Sequence, residues 1–321
     1  MKIPRELAGP LDDLLTRAFA EDGEDVTSLA VFGPAARVAG RLVAREAGVV
    51  SGVALLPRIF AFLRPTASAR PLVEDGSRVT AGEALAEIEG PAITVLKAER
   101  VALNLLQRLS GIATLTRRYA EALEGTGAIL LDTRKTTPGL RTLERYAVRC
   151  GGGTNHRFGL AHGFLVKDNH ADGSGSVWEA TRRAADFRAT NPSLRRLLLE
   201  VEARTRDEVH QALEAGAERI LLDNMGLDET REAVADVKLW NEATGHHVET
   251  EGSGGMTPEK ARAAAEAGVD FVSVGALTHS ARGLDLALDV SAALPLRERR
   301  ISRGRLPRTS PRRRAATRKK G

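Results

Sequence analysis

Apolar residues near the start of the chain keep the three-to-four spacing of one helical face: Leu7, Leu11, Leu14, Leu15 and Ala18 predict a helix. Residues 36–45 then alternate, with Val38, Leu42 and Val43 apolar, and read as a strand. Residues 48–52 read as a turn into a helix at 53–63. Between Pro71 and Glu89 the pairs Asp75-Gly76 and Ala81-Gly82 are turn signals between short strands. Pro91 suits the first turn of a long helix, because the amide it lacks would be unpaired there anyway. That helix is expected to run through Glu99, Arg100 and Asn104 to near Ser110 and Gly111.

From about residue 125 the pattern changes. Short apolar runs at 128–131, 164–166, 197–201, 220–222, 247–249 and 271–274 alternate with helical patterns, among them 205–216, 227–243 and 257–267. Buried β runs alternating with helices mean βα units and a parallel sheet. The runs lead into chemically loaded residues: Asp132 to Lys135, Lys167 to His170, Glu202, Asp223 with Asn224, Glu251 to Gly255, and Gly275. In a β/α barrel all C-terminal strand ends face one mouth, whereas an open doubly wound sheet gathers them at one switch point. Six loaded ends, and no GxGxxG after the first strand, favour the barrel.

Charge adds a surprise. The chain of 321 residues has a formal net charge of +5 and a pI near 9.6, which invites a nucleic-acid reading. Residues 297–321, however, hold twelve Lys or Arg and one acid, leaving thirty-five basic and forty-one acidic residues elsewhere. The body is therefore mildly acidic, and the tail reads as a disordered, solvated extension that attracts polyanions weakly. A nucleic-acid-binding protein acting through that tail is the rival; its binding would be salt-dependent and vanish on deleting 297–321. No apolar run approaches a membrane span, the start does not resemble a signal peptide, and the single cysteine, Cys150, fits a reducing cytoplasm.

The densest chemistry lies in Asp132-Thr-Arg-Lys-Thr-Thr-Pro-Gly-Leu-Arg141, where two adjacent cations and three hydroxyls suit an anionic ligand; a solvated charged loop is the alternative. In Cys150-Gly-Gly-Gly-Thr-Asn-His-Arg157 the three glycines would let backbone approach a ligand, or simply form a flexible turn. Lys167 either snorkels at the rim or points at a ligand. Glu202 and Asp223, one βα unit apart, suit an oxygen-liganded cation such as Mg²⁺, or salt bridges to the neighbouring cations. Ser253, Gly254 and Gly255 precede Thr257-Pro258, a helix start, and with Gly275 and the segment to His279 they suggest a phosphate cradle.

These strings, together with Glu21 to Thr27, Ala98 to Asn104 and Leu109 to Thr114, resemble the quinolinate phosphoribosyltransferase family, also called nicotinate-nucleotide pyrophosphorylase (carboxylating). The resemblance extends to about residue 290. Gly252 and Met256 stand where the family usually has alanine and isoleucine, and the tail has no counterpart. The implied fold is α/β. An N-terminal α+β sandwich domain would span 1–112, completed by about 281–296, and a TIM-like, incomplete β/α barrel would span 113–280.

The implied reaction joins quinolinate to phosphoribosyl pyrophosphate with Mg²⁺, giving nicotinate mononucleotide, pyrophosphate and CO₂ in de novo NAD biosynthesis. Quinolinate would be held by residues matching Thr133, Arg134, His156, Arg157 and Lys167. Arg100 would reach the site from the partner subunit, making a homodimer with a shared site, or a hexamer built from it. Lys135, Glu202 and Asp223 match the catalytic residues, the two acids also serving the metal. Lys135, Asn224, Ser253, Gly254, Gly255, Gly275 and His279 match the phosphoribosyl pyrophosphate contacts. Same-fold rivals are the pyrophosphorylase-like proteins of molybdate-uptake operons, against which the intact Thr133-Arg-Lys-Thr136 and Asn155-His-Arg157 strings argue, and nicotinate phosphoribosyltransferase.

Overall fold

The computed structural model describes residues 3–292, so the basic tail lies outside the described residues. The predicted first helix is α1 (Arg5–Asp22), burying Leu7, Leu11 and Leu15. After α2 (Val26–Val31) come β1 (Arg37–Ala44), β2 (Gly48–Val49), α3 (Leu56–Leu63), β3 (Ser68–Pro71), β4 (Arg78–Val79) and β5 (Ala84–Pro91). Gly76 and Gly82 take positive φ at the expected turns. β1, β5 and β3 form an antiparallel sheet, and the C-terminal strand β12 (Leu286–Ala292) joins it by pairing with β1 from Val38↔Ala292 to Ala44↔Leu286.

Helix α4 (Ala92–Ala122) departs from expectation: it does not stop at Gly111 but continues for three more turns. Gly111 is there for packing. A Cβ at that position would overlap the carbonyl of Arg282, where the chain crosses on its way to β12. The helical periodicity continues beyond it, with Ile112, Ala113 and Thr116 buried.

The second sheet holds β6 (Ile129–Leu131), β7 (Phe164–Val166), β8 (Leu199–Ala203), β9 (Arg219–Asp223), β10 (Glu249–Ser253) and β11 (Phe271–Ser273). The order is β6-β11-β10-β9-β8-β7, and every pair is parallel. Between them run α5 (Arg141–Gly151), α6 (Asp168–Ser174), α7 (Val177–Thr190), α8 (Arg206–Ala215), α9 (Leu227–Thr244), α10 (Pro258–Glu266) and the short α11 (Ala276–His279). The sheet curls towards closure and stops: β6 and β7 do not pair, and Thr154 bridges to Leu131 at the gap. This is the incomplete barrel that the loaded strand ends imply.

Two further corrections concern strand limits. The strand expected at 247–249 lies at Glu249–Ser253, and Glu202 sits within β8 rather than after it. β10 escaped a hydropathy reading because its inward side chains are polar. The three glycines at 151–153 also serve packing more than ligand approach. A Cβ on Gly151 would meet the carbonyl of Ala113 at 2.6 Å, Gly152 caps α5 at φ 97°, and a Cβ on Gly153 would meet Val148 at 2.8 Å.

Candidate active site

The loop after β6 is held from below. Asp132 has no exposed surface, and its carboxylate accepts from the His156 amide at 2.8 Å, from Asn155 Nδ2 at 2.6 Å and from Arg145 Nη1 at 3.2 Å. Arg145 in turn donates to the carbonyls of His156 (2.6 Å) and Arg157 (3.3 Å). Burial nonetheless keeps the Asp132 carboxyl above its ordinary range, against the pull of Arg145. One buried ion pair thus fixes the backbone of 155–157 beside the end of β6.

Arg134 lies close enough to Arg157 for its charge to act on it. Each has a buried Nε with no hydrogen-bond partner. Among the described residues Arg134 makes no ion pair, while Arg157 donates Nη1 to the carbonyl of Gly163 at 2.7 Å. Burial and the charge of Arg134 hold the Arg157 pKa below its usual value. Guanidinium groups with orphaned donors suit carboxylate oxygens.

His156 turns inward. Its Nδ1 accepts the Arg157 amide at 2.7 Å, and its Nε2 lies 3.1 Å from Glu200 and 3.5 Å from Glu251. Burial opposes charge on the ring, but the two carboxylates together outweigh it and push its pKa up to about 9. Glu200 is itself held above the usual carboxylate range, by burial and by the charge of Glu251. The Arg157 amide donates to the other ring nitrogen. A doubly protonated ring cannot accept it, so this bond opposes the charge that the carboxylates favour. Both ring nitrogens therefore have partners within the protein.

Glu200 was not anticipated, and Glu251 only as part of a loaded strand end. The missed signal is period two: Glu200 shares a face of β8 with Glu202, and Glu251 shares a face of β10 with Ser253. Among the described residues, the donor atoms of His156, Glu200 and Glu251 lie within 4.8 Å of one another, close enough to hold a metal ion.

The expected acidic pair is brought together at the mouth. β8 and β9 are neighbours, and Glu202 is held above its ordinary range by burial first and by Asp223 second. Lys167 Nζ approaches Glu202 at 3.9 Å. Asn224 follows with φ 56°, donating its side chain to Asp223 at 2.9 Å and its amide to the Ser253 carbonyl at 3.0 Å. Gly254 packs on it: at φ 96° a Cβ would stand 2.8 Å from the Asn224 amide nitrogen. Gly255 also has positive φ, at 51°, and open space around it.

Lys135 joins the last loop. Its carbonyl accepts from Thr278 Oγ1 at 2.9 Å, and its stem lies against Gly275, where a Cβ would meet Lys135 Cδ at 2.9 Å and His279 Nε2 at 3.2 Å. Thr133 Oγ1 accepts the Lys135 amide at 3.1 Å, tightening the turn. Arg100 stands apart: it is exposed on α4, about 12 Å along the axis from Arg108, and pairs with no acid among the described residues.

Known proteins are similar to the chain in sequence and fold. The family model described as quinolinate phosphoribosyl transferase, C-terminal domain, matches residues 112–289, and the N-terminal domain model matches 25–110. A probable nicotinate-nucleotide pyrophosphorylase [carboxylating] of Bacillus subtilis is 41% identical over 283 residues, 88% of this chain and 93% of its own. The Mycobacterium leprae nicotinate-nucleotide pyrophosphorylase [carboxylating] is 41% identical over 87% of this chain and 96% of its own. The crystal structure of NadC from Streptococcus pyogenes superposes with a TM-score of 0.79 at 38% identity, covering 88% of this chain and 97% of its own. With both domain models and nearly the full length of these relatives matched, the chain belongs to the quinolinate phosphoribosyltransferase family.

Proposed function

We propose that the chain transfers the phosphoribosyl group of phosphoribosyl pyrophosphate to the ring nitrogen of quinolinate, giving nicotinate mononucleotide, pyrophosphate and CO₂. The observation that carries this reading is the Arg134–Arg157 pair, two partly buried guanidinium groups with orphaned Nε donors and no carboxylate of their own. A pyridine dicarboxylate supplies the missing acceptors. Lys167 adds a third cation, at the side of the pocket where Glu202 stands. The Ser253–Gly255 turn and the Gly275–His279 segment, with Lys135 against them, would take the phosphates through backbone amides and the lysine. Arg100, exposed on α4, would reach the pocket of the partner subunit in a homodimer. The single cysteine suits a reducing compartment, the cytoplasm.

Glu202 and Asp223 fit Mg²⁺. They are oxygen donors on adjacent strand ends, and their mutual repulsion is relieved only in part by Lys167 at 3.9 Å. Bound there, Mg²⁺ would neutralise charge on the departing pyrophosphate. Loss of that group leaves positive charge on the ribose, which the two carboxylates stabilise from their side. Ribosylation makes the ring nitrogen cationic, and that cation accepts the electron pair left when the adjacent carboxylate departs as CO₂. The order is therefore ribosylation first, then decarboxylation, with no further organic cofactor. The site assignment is tested by Arg134→Ala and Lys167→Ala. Each loses quinolinate turnover with its melting temperature retained, and near-normal turnover in either would overturn the assignment.

A further inference from the structure

We propose that Glu200 and Glu251 are positioning residues for the dicarboxylate pocket, acting through His156 on Arg157. The inference rests on the reading of Arg134 and Arg157 as the quinolinate receptor and adds the device that aims one of them. Glu200 is 1% exposed and Glu251 0%. They stand on β8 and β10, with β9 between, and both close on the one ring nitrogen, Nε2.

Neither oxygen of Glu251 has a hydrogen-bond partner; the nearest cationic groups are His156 at 3.5 Å and Arg219 Nη1 at 3.7 Å. A buried carboxylate left this poorly satisfied costs stability, so its place in the barrel needs a return elsewhere. The return is orientation. With Nε2–H directed at the glutamates, Nδ1 is an acceptor and binds the Arg157 amide at 2.7 Å. That bond adds to the Asp132–Arg145 support of the backbone from which the Arg157 side chain enters the pocket.

Two features show why a restraint is needed. A cavity of about 350 Å³, lined among others by His156, Glu200, Arg219 and Phe271, lies beside the ring. A ring released from its glutamates has room to turn into it. The nearest other cation is largely engaged elsewhere. Arg219 pairs with Glu249 at 2.6 Å, lies over the Phe271 ring at 3.7 Å and already faces Glu251.

The test is steady-state kinetics on the full chain carrying Glu200→Gln, Glu251→Gln, His156→Asn and the double variant His156→Asn with Glu200→Gln. Glu200→Gln is expected to raise the quinolinate KM about ten-fold, with the phosphoribosyl pyrophosphate KM unchanged. The double variant is expected to match His156→Asn alone, because both changes act on one path. Equal rises in both KM values, multiplicative effects in the double variant, or failure of both glutamine variants to fold would overturn the proposal in favour of a purely structural role. Arg134→Ala serves as the control. If it keeps near-normal quinolinate turnover, the receptor reading itself has failed, whatever the glutamates do.

Discussion

Two nitrogens of Arg108, Nε at 3.1 Å and Nη2 at 2.9 Å, converge on Oε1 of Glu144, a carboxylate with no exposed surface. The same carboxylate accepts the Thr137 amide at 3.1 Å and its hydroxyl at 2.7 Å. Arg108 also donates to the carbonyls of Ala281, at 3.0 Å, and Thr278. A single residue of the long helix thus ties the loop bearing Arg134 and Lys135 to the loop bearing Gly275 and His279.

Glu144→Ala leaves the charge of a half-buried guanidinium without its carboxylate and the Thr137 amide without its acceptor. Breaking a buried pair from one side costs about 3 kcal/mol, so the urea midpoint should drop markedly. An unchanged midpoint would mean that the clip does not hold the loops.

Gly254→Ala places a Cβ against Asn224 at a backbone angle that L residues rarely adopt. The phosphoribosyl pyrophosphate KM should rise by an order of magnitude or more, with the quinolinate dissociation constant nearly unchanged. Steady-state kinetics reads the first value and calorimetric titration with quinolinate the second.

Arg100→Ala and Lys167→Ala should each be inactive. Co-expressed and purified as mixed dimers, they should recover part of the wild-type activity, because one of the two pockets then receives an intact Arg100 and an intact Lys167. No recovery in verified heterodimers would argue against a shared site.

The proposed Mg²⁺ site at the acidic pair implies a pH dependence. The Glu202 pKa is raised by burial and by Asp223, so protons compete with the cation at a pH above the usual carboxylate range. Apparent Mg²⁺ affinity should fall as pH falls through that titration, with protons released on binding. Asp223→Asn removes the repulsion, lowers the Glu202 pKa and should move the proton release to lower pH. Mg²⁺ affinity independent of pH would contradict the assignment.

Much of the second half of the fold was legible because a parallel strand buried on both faces is apolar and ends abruptly in polar residues. β6, β7, β9 and β11 obey that rule, and their ends supplied Arg134, Lys135, Lys167, Asp223 and Gly275. β10 breaks it, because Glu249, Glu251 and Ser253 point into the barrel, so its polarity disguised it. Glu200 was hidden for the opposite reason, lying inside an otherwise apolar run. Gly111 and the 151–153 glycines show a further limit. Composition cannot tell a glycine that ends an element from one that lets two segments touch, since the contact comes from residues far along the chain. The Arg108–Glu144 clip, 36 positions apart, escaped detection likewise.

The most direct measurement is the product balance of the purified protein given quinolinate labelled in the carboxyl next to the ring nitrogen, phosphoribosyl pyrophosphate and Mg²⁺. Equal amounts of nicotinate mononucleotide, pyrophosphate and labelled CO₂ are predicted, with no CO₂ when phosphoribosyl pyrophosphate is omitted. Label released without that co-substrate, or nucleotide formed as readily from nicotinate, would contradict the account.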